Sequence, residues 1–161
     1  MQYIYYYDSP LGILIMVSDG TALTSLVFMD RHVDYTGVIT KKLPIFADTE
    51  RWLDLYFNGI IPDFTPELSL RGTSFRLSVW EILCRIPYGQ TISYGEIAAL
   101  LTEQRDGKRM SAQAVGGAVG ANPIAIFVPC HRVIGKDGSL TGYAGGIERK
   151  KWLLAMEQKF R

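Results

Sequence analysis

Apolar and polar residues are spaced differently in the two halves of the chain. Residues 2–7 (QYIYYY), 13–18 (ILIMVS) and 22–29 are short runs rich in β-branched and aromatic side chains, and they predict three strands. Ser9-Pro10-Leu11-Gly12 and Asp19-Gly20 separate them as turn signals, so the chain opens on an antiparallel meander. Residues 30–44 show no periodicity and read as a loop. Between Asp48 and Gly59, the residues Trp52, Leu53, Leu55, Tyr56 and Phe57 suit a short amphipathic helix ended by Asn58-Gly59. Pro62 and Pro66 mark the following stretch as a linker. A domain boundary is expected near residue 66, giving a structural domain over 1–66 and a second domain over 67–161.

The second half has helical spacing. Thr73 to Ile86 places Phe75, Val79, Ile82, Leu83 and Ile86 on one face, with Thr73 or Ser74 as cap and Cys84 as a structural residue. Ser93 to Leu101 begins with a capping box, Ser93 and Glu96. After a charged loop, Ser111 caps a helix running to about Gly120, made largely of Ala and Gly. Interior glycines cost about 1 kcal/mol each relative to alanine, so this helix should approach something closely. A neighbouring helix and a nucleic-acid groove both fit, and the two helices have the order of a helix-turn-helix. The apolar run Ile124–Val128 predicts a buried strand that Pro129 stops. Gly135–Gly138 is a turn, LTGYAGG (Leu140–Gly146) a glycine-rich loop, and Ile147–Lys159 an amphipathic helix with Trp152, Leu153, Leu154 and Met156 apolar.

Composition narrows the class. At 161 residues and 48% hydrophobic content the chain is globular and holds one domain or two small ones. No apolar run approaches the roughly 20 residues that span a bilayer. The start, MQYIYYYDSP, is not expected to be a signal peptide, and no membrane association is expected. Two cysteines are too few for a disulfide framework, so a reducing, cytoplasmic setting is expected. Cys84, Cys130, His32 and His131 form no zinc spacing, and Asp8, Asp19 and Asp30 read as turn residues; neither metal nor cofactor is expected. Net charge is +1, but it is unevenly spread. Residues 1–66 hold four Lys/Arg against eight Asp/Glu, a balance of −4; residues 67–161 hold thirteen against eight, a balance of +5. The basic half fits an anionic partner as well as it fits an ordinary soluble surface.

Cys130 and His131 follow the apolar run directly. A thiol reacts as thiolate, and an imidazole can take its proton. Adjacent residues of a strand point to opposite faces, so the two can meet only in a bend or through a water. By themselves they also fit a small buried hydrophobe beside a structural histidine.

Four segments taken together decide between these readings. ISYGEIA (Ile92–Ala98), AVGGAVGANP (Ala114–Pro123), PCHRVIG (Pro129–Gly135) and GYAGG (Gly142–Gly146) resemble the O6-alkylguanine-DNA alkyltransferases, the methylated-DNA–protein-cysteine methyltransferases, in content and order. The resemblance implies an α+β fold: a small N-terminal α/β, ribonuclease-H-like domain, then a mostly helical, winged helix-turn-helix domain. It implies single-turnover DNA repair, in which Cys130 takes the alkyl group from guanine O6 after the base is flipped out of double-stranded DNA. By carry-over, His131 acts as base through a water, Glu157 orients His131, Tyr94 protonates guanine N3, and Asn122 ties the reader helix to the active-site segment. Gln113, Ala114, Gly117 and Arg132 fall among the DNA contacts. The carbonyls of Val128 and Cys130 read the guanine amine, and Tyr143 and Ala144 line the O6 side. A monomer is expected.

Two positions depart from the family pattern. Gln113 stands where relatives carry an arginine that fills the space left by the base, and Ala144 stands where some carry serine. The loop before Gln113 is long and holds Arg105, Lys108 and Arg109, one of which is expected to hold phosphate in compensation. Competing readings are a non-enzymatic binder of alkylated DNA, a thiol hydrolase, and a structural domain with an inert cysteine.

Overall fold

A computed structural model describes all residues, Met1–Arg161. It is α+β and divides into two compact units, Met1–Arg71 and Gly72–Arg161. In the first unit β1 (Tyr3–Ser9), β2 (Gly12–Ser18), β3 (Leu23–Phe28) and β4 (Ile39–Thr40) form one sheet of order β3-β2-β1-β4. The first three strands pair antiparallel, with Tyr5 opposite Met16 and Met16 opposite Leu26; β4 lies parallel to β1.

β2 is buried at five consecutive residues, Leu14–Ser18, because both sheet faces are covered. On one face lies α1 (Pro44–Phe57), whose Phe46 and Phe57 stack on Tyr5 and Tyr7 while Asp54 Oδ1 accepts from the Tyr7 hydroxyl at 2.6 Å. On the other, Tyr35 and Val38 pack on Ile4, Ile15, Val17 and Val27. The aperiodic stretch 30–44 is therefore not simply loop. It covers the sheet, supplies β4, and starts α1 four residues before Asp48, with Pro44 where a missing N–H costs nothing. The first unit also extends past Pro66, because Leu23 N donates to Glu67 O (2.8 Å) and Ser69 N donates to Leu23 O (2.9 Å).

The second unit holds α2 (Ser74–Cys84), β5 (Ile92–Ser93), α3 (Tyr94–Gln104), α4 (Ala112–Gly120), β6 (Val133–Ile134) and α5 (Ile147–Phe160). Each of the first three helices starts on a side-chain cap. Thr73, Ser93 and Ser111 accept from the amides of Arg76, Glu96 and Ala114 at 3.1–3.2 Å. Trp80 Nε1 donates to Ala118 O at 2.9 Å and joins α2 to α4. β5 and β6 pair in parallel, Ile92 with Val133, which sets the chain after Cys130 beside the start of α3.

The strand expected over Ile124–Val128 does not form. The segment is a run of tight turns: Phe127 N donates to Ala125 O, Val128 N to Ile124 O, and Ile126 sits at φ +72°. Its apolar content reflects burial, which Ile124, Ile126 and Val128 share, and burial does not specify an extended backbone.

Candidate active site

Cys130, His131 and Arg132 form a single 3₁₀ turn, so adjacent side chains fan out about its axis rather than alternating across a strand. Cys130 is 4% exposed. Asn122, just past α4, organises the approach to it. Asn122 Oδ1 accepts from Ile124 N at 3.0 Å, and Asn122 Nδ2 donates to Val128 O at 2.8 Å and to Cys130 Sγ at 3.1 Å. An N–H aimed at sulfur favours the thiolate. The left-handed φ of Ile126, uncommon for a β-branched residue, lies inside the turn that Asn122 ties together.

His131 and Glu157 are fully buried, and His131 Nε2 lies 2.6 Å from Glu157 Oε2. The same carboxylate accepts from Arg132 Nε (2.8 Å), Arg132 Nη2 (3.1 Å) and the Gly89 amide (3.2 Å), while Arg132 Nη1 donates to Ile86 O at 2.7 Å. Burial pushes the Glu157 carboxyl up, but His131 and Arg132 outweigh it and hold the group well below the usual carboxylate range. Burial is also the largest influence on His131 and lowers its pKa. Glu157 opposes this, while the cations Arg132 and Lys150 reinforce it. The imidazole is therefore neutral near pH 7. With Glu157 ionised, Nε2 carries the proton and Nδ1 is the acceptor. Nδ1 is buried and meets no protein donor.

Around this centre lies the glycine-rich loop. Tyr143 is buried, its ring edge-on to His131 (centroids 6.5 Å apart, planes at 81°), and its hydroxyl has no partner. Ala144 is exposed beside it. Tyr94, the first residue of α3, donates its hydroxyl to Thr141 O at 2.9 Å. Burial is the main cause of the upward shift in its pKa. Gly142 is at φ +74°, and a Cβ there would come within 3.0 Å of the Tyr94 hydroxyl, so only glycine fits.

Of the expected residues, the structure gathers Cys130, His131, Glu157, Asn122 and Tyr143 into one buried cluster. Tyr94 is held to the adjoining loop, and Gln113, Ala114 and Gly117 share the exposed face of α4. Two expectations are corrected. Arg132 is buried on Glu157 and Ile86, with its guanidinium committed there, and is not a DNA contact. Val128 O already accepts from Asn122 Nδ2 and from Cys130 N (2.7 Å), so both lone pairs are used and it has none for a guanine amine. Cys130 O accepts from Val133 N.

One buried charge beside the site is missing from the sequence reading. Lys150, 1% exposed, donates to Val133 O and to Thr141 O (3.0 Å) and so ties the loop to the strand after the cysteine. A signal existed: Lys150 shares the α5 stripe of Leu153 and Glu157, three and seven residues on. Trp152, expected on that apolar side, is instead 36% exposed. No three His, Cys, Asp or Glu side chains cluster as metal ligands, and no helix is long and apolar enough to cross a membrane.

The second unit thus defines a thiol–imidazole–carboxylate centre set directly behind a helix-turn-helix. Residues 2–70 match the family model for the ribonuclease-like domain of 6-O-methylguanine DNA methyltransferase, and residues 74–159 match that for its DNA binding domain. A methylated-DNA–protein-cysteine methyltransferase of Mycolicibacterium paratuberculosis is 46% identical over 153 residues, 94% of this chain and 90% of that protein. The crystal structure of the Mycobacterium tuberculosis O6-methylguanine methyltransferase superposes with a TM-score of 0.87 at 44% identity, covering 100% of this chain and 95% of that one. A structure of the same bacterium's protein in complex with DNA gives 0.85 at 44% identity, over 98% and 93%. The chain belongs to the methylated-DNA–protein-cysteine methyltransferase family.

Proposed function

We infer that this protein repairs DNA by moving an alkyl group from O6 of a flipped-out guanine in duplex DNA to Cys130 Sγ, irreversibly and once per molecule. The observation that carries the reading is the Cys130 sulfur with an Asn122 N–H on it, beside a neutral His131 whose Nδ1 is free to accept. His131 Nδ1 takes the thiol proton through a water, and Glu157 stabilises the imidazolium that results. Sγ attacks the alkyl carbon in line; the S–C bond forms, the C–O6 bond breaks, and its electron pair passes into the guanine ring. Tyr94 gives its proton to guanine N3, for which its hydroxyl leaves Thr141 O. The base departs neutral and a thioether remains. The Cys130 carbonyl reads the exocyclic amine, and Tyr143 with the Ala144 backbone lines the O6 side.

Residues 72–161 bind DNA and perform the transfer, and residues 1–71 are structural. Within α4, a Cβ on Gly117 or Gly120 would meet nothing within 4 Å. The protein's own packing does not require these glycines, which supports a face kept small for the DNA groove. Gln113 on that face fills the gap left by the base, bringing hydrogen bonds but no charge. Neither cysteine is in a disulfide, as suits a reducing cytoplasm, and the protein acts as a monomer.

Titrating excess O6-methylguanine duplex into the protein tests the reading. The count of restored guanines should plateau at one per protein molecule. Continued turnover would identify a thiol hydrolase, and binding without restoration a non-catalytic binder.

A further inference from the structure

A helix that enters a groove of a polyanion needs cations near it, and α4 has none: Ala112–Gly120 carries no charged side chain. The charge must come from flanking residues, and the turn between α3 and α4 holds three candidates. Arg105 is half-buried, with its guanidinium 5.5 Å from the centre of the Phe75 ring, so it is engaged in packing. Lys108 and Arg109 are exposed, and no acidic side chain pairs with either.

These two cations sit on an ordered segment despite the loop's length. Gly107 N donates to Thr102 O at 2.9 Å, with Asp106 and Gly107 at φ +55° and +81°, which closes α3 in a left-handed cap. Lys108 N donates to Arg105 O at 3.1 Å. Met110 N then donates to Thr102 Oγ1 at 3.0 Å, and that hydroxyl donates to Ala98 O at 2.9 Å. Lys108 and Arg109 thus lie between two anchors on one α3 residue, with only Met110 between Arg109 and Ser111, the cap of α4. Little backbone freedom remains to be lost on binding. Of the acidic residues of the region, Glu103 lies in α3 and Asp106 in the left-handed turn itself, and neither forms an ion pair with Lys108 or Arg109.

We propose that Lys108 and Arg109 form a phosphate clamp, holding backbone phosphates beside the groove that α4 enters and supplying the charge that α4 lacks. This rests on the reading that duplex DNA is the substrate. Phosphate contacts carry no sequence information, so the clamp strengthens methylated and unmethylated duplex alike.

The test is duplex affinity across a salt series for the full chain, with and without one O6-methylguanine, in the parent, in K108Q/R109Q, and in K159Q as a control that removes one exposed positive charge on α5. The double variant should bind both duplexes more weakly by a similar factor. Its log–log salt slope should be shallower by about 1.8, at roughly 0.9 per phosphate contact. The K159Q slope should match the parent's. An unchanged slope in the double variant, or an equal loss in K159Q, overturns the clamp. A parent that neither binds duplex nor takes a methyl group overturns the repair reading instead.

Discussion

Glu157 is the residue on which the buried charges converge, and its occupancy decides how the site responds to acid. In the folded state its carboxyl is held well below the ordinary value of 4.5, while burial holds His131 below its ordinary 6.5. Both shifts make the unfolded chain the better proton acceptor. Stability is therefore lost as pH falls below about 6.5 for His131, and lost further below about 4.5 for Glu157. Urea midpoints should fall steadily from pH 7 to pH 4, and a flat profile would contradict the buried pair. Arg132→Met removes two donors from Glu157 and one cation that lowers the His131 pKa. It should cost about 3–5 kcal/mol in unfolding measurements, because a buried carboxylate loses its partner. It should also move the acid limb of the transfer rate to higher pH, since His131 then protonates more readily. Asn122→Asp puts a carboxylate where an N–H now meets the sulfur. Labelling of Cys130 by a small thiol reagent at pH 7 should slow by at least tenfold, and unchanged labelling would remove Asn122 from thiolate stabilisation.

α4 shows what an element's composition can reveal and what it cannot. Gly117 is in a helix interior with open space where a Cβ would be, so Gly117→Ala should raise stability by about 0.5–1 kcal/mol. If its exposed face seats in a DNA groove, the same change should weaken duplex binding while the melting temperature rises. Gain in both would place the groove elsewhere. The starts of α2, α3 and α4 were legible because Thr73, Ser93 and Ser111 announce themselves by side chains that accept from the first turn, whereas α1, which has no such cap, starts four residues earlier than expected. The Ile124–Val128 segment was not, because a buried turn held by one asparagine and a buried strand share the same apolar letters. Lys150 and Arg132 were misread or missed because charged residues are ordinarily exposed, and their buried partners come from remote parts of the chain. The pairing of His131 with Glu157, 26 residues apart, was available only through the family resemblance.

For the whole molecule, the chemistry and the fold meet at a sulfur that is almost sealed. Alkylating Cys130 adds a carbon to a packed site and replaces a thiolate by a thioether, which accepts the Asn122 hydrogen bond poorly. Overpacking of this kind typically costs about 1–3 kcal/mol, so the reacted protein should melt below the unreacted one. An equal or higher melting temperature would mean that the site opens more freely than its burial implies. The central claim is that Cys130 itself receives the group from DNA. Its most direct test is intact and peptide mass after incubation with a duplex carrying one O6-methylguanine. The account predicts a gain of one methyl group per chain, located on the peptide containing Cys130 and absent in Cys130→Ala. An unmodified chain, or a methyl group on Cys84, would contradict it.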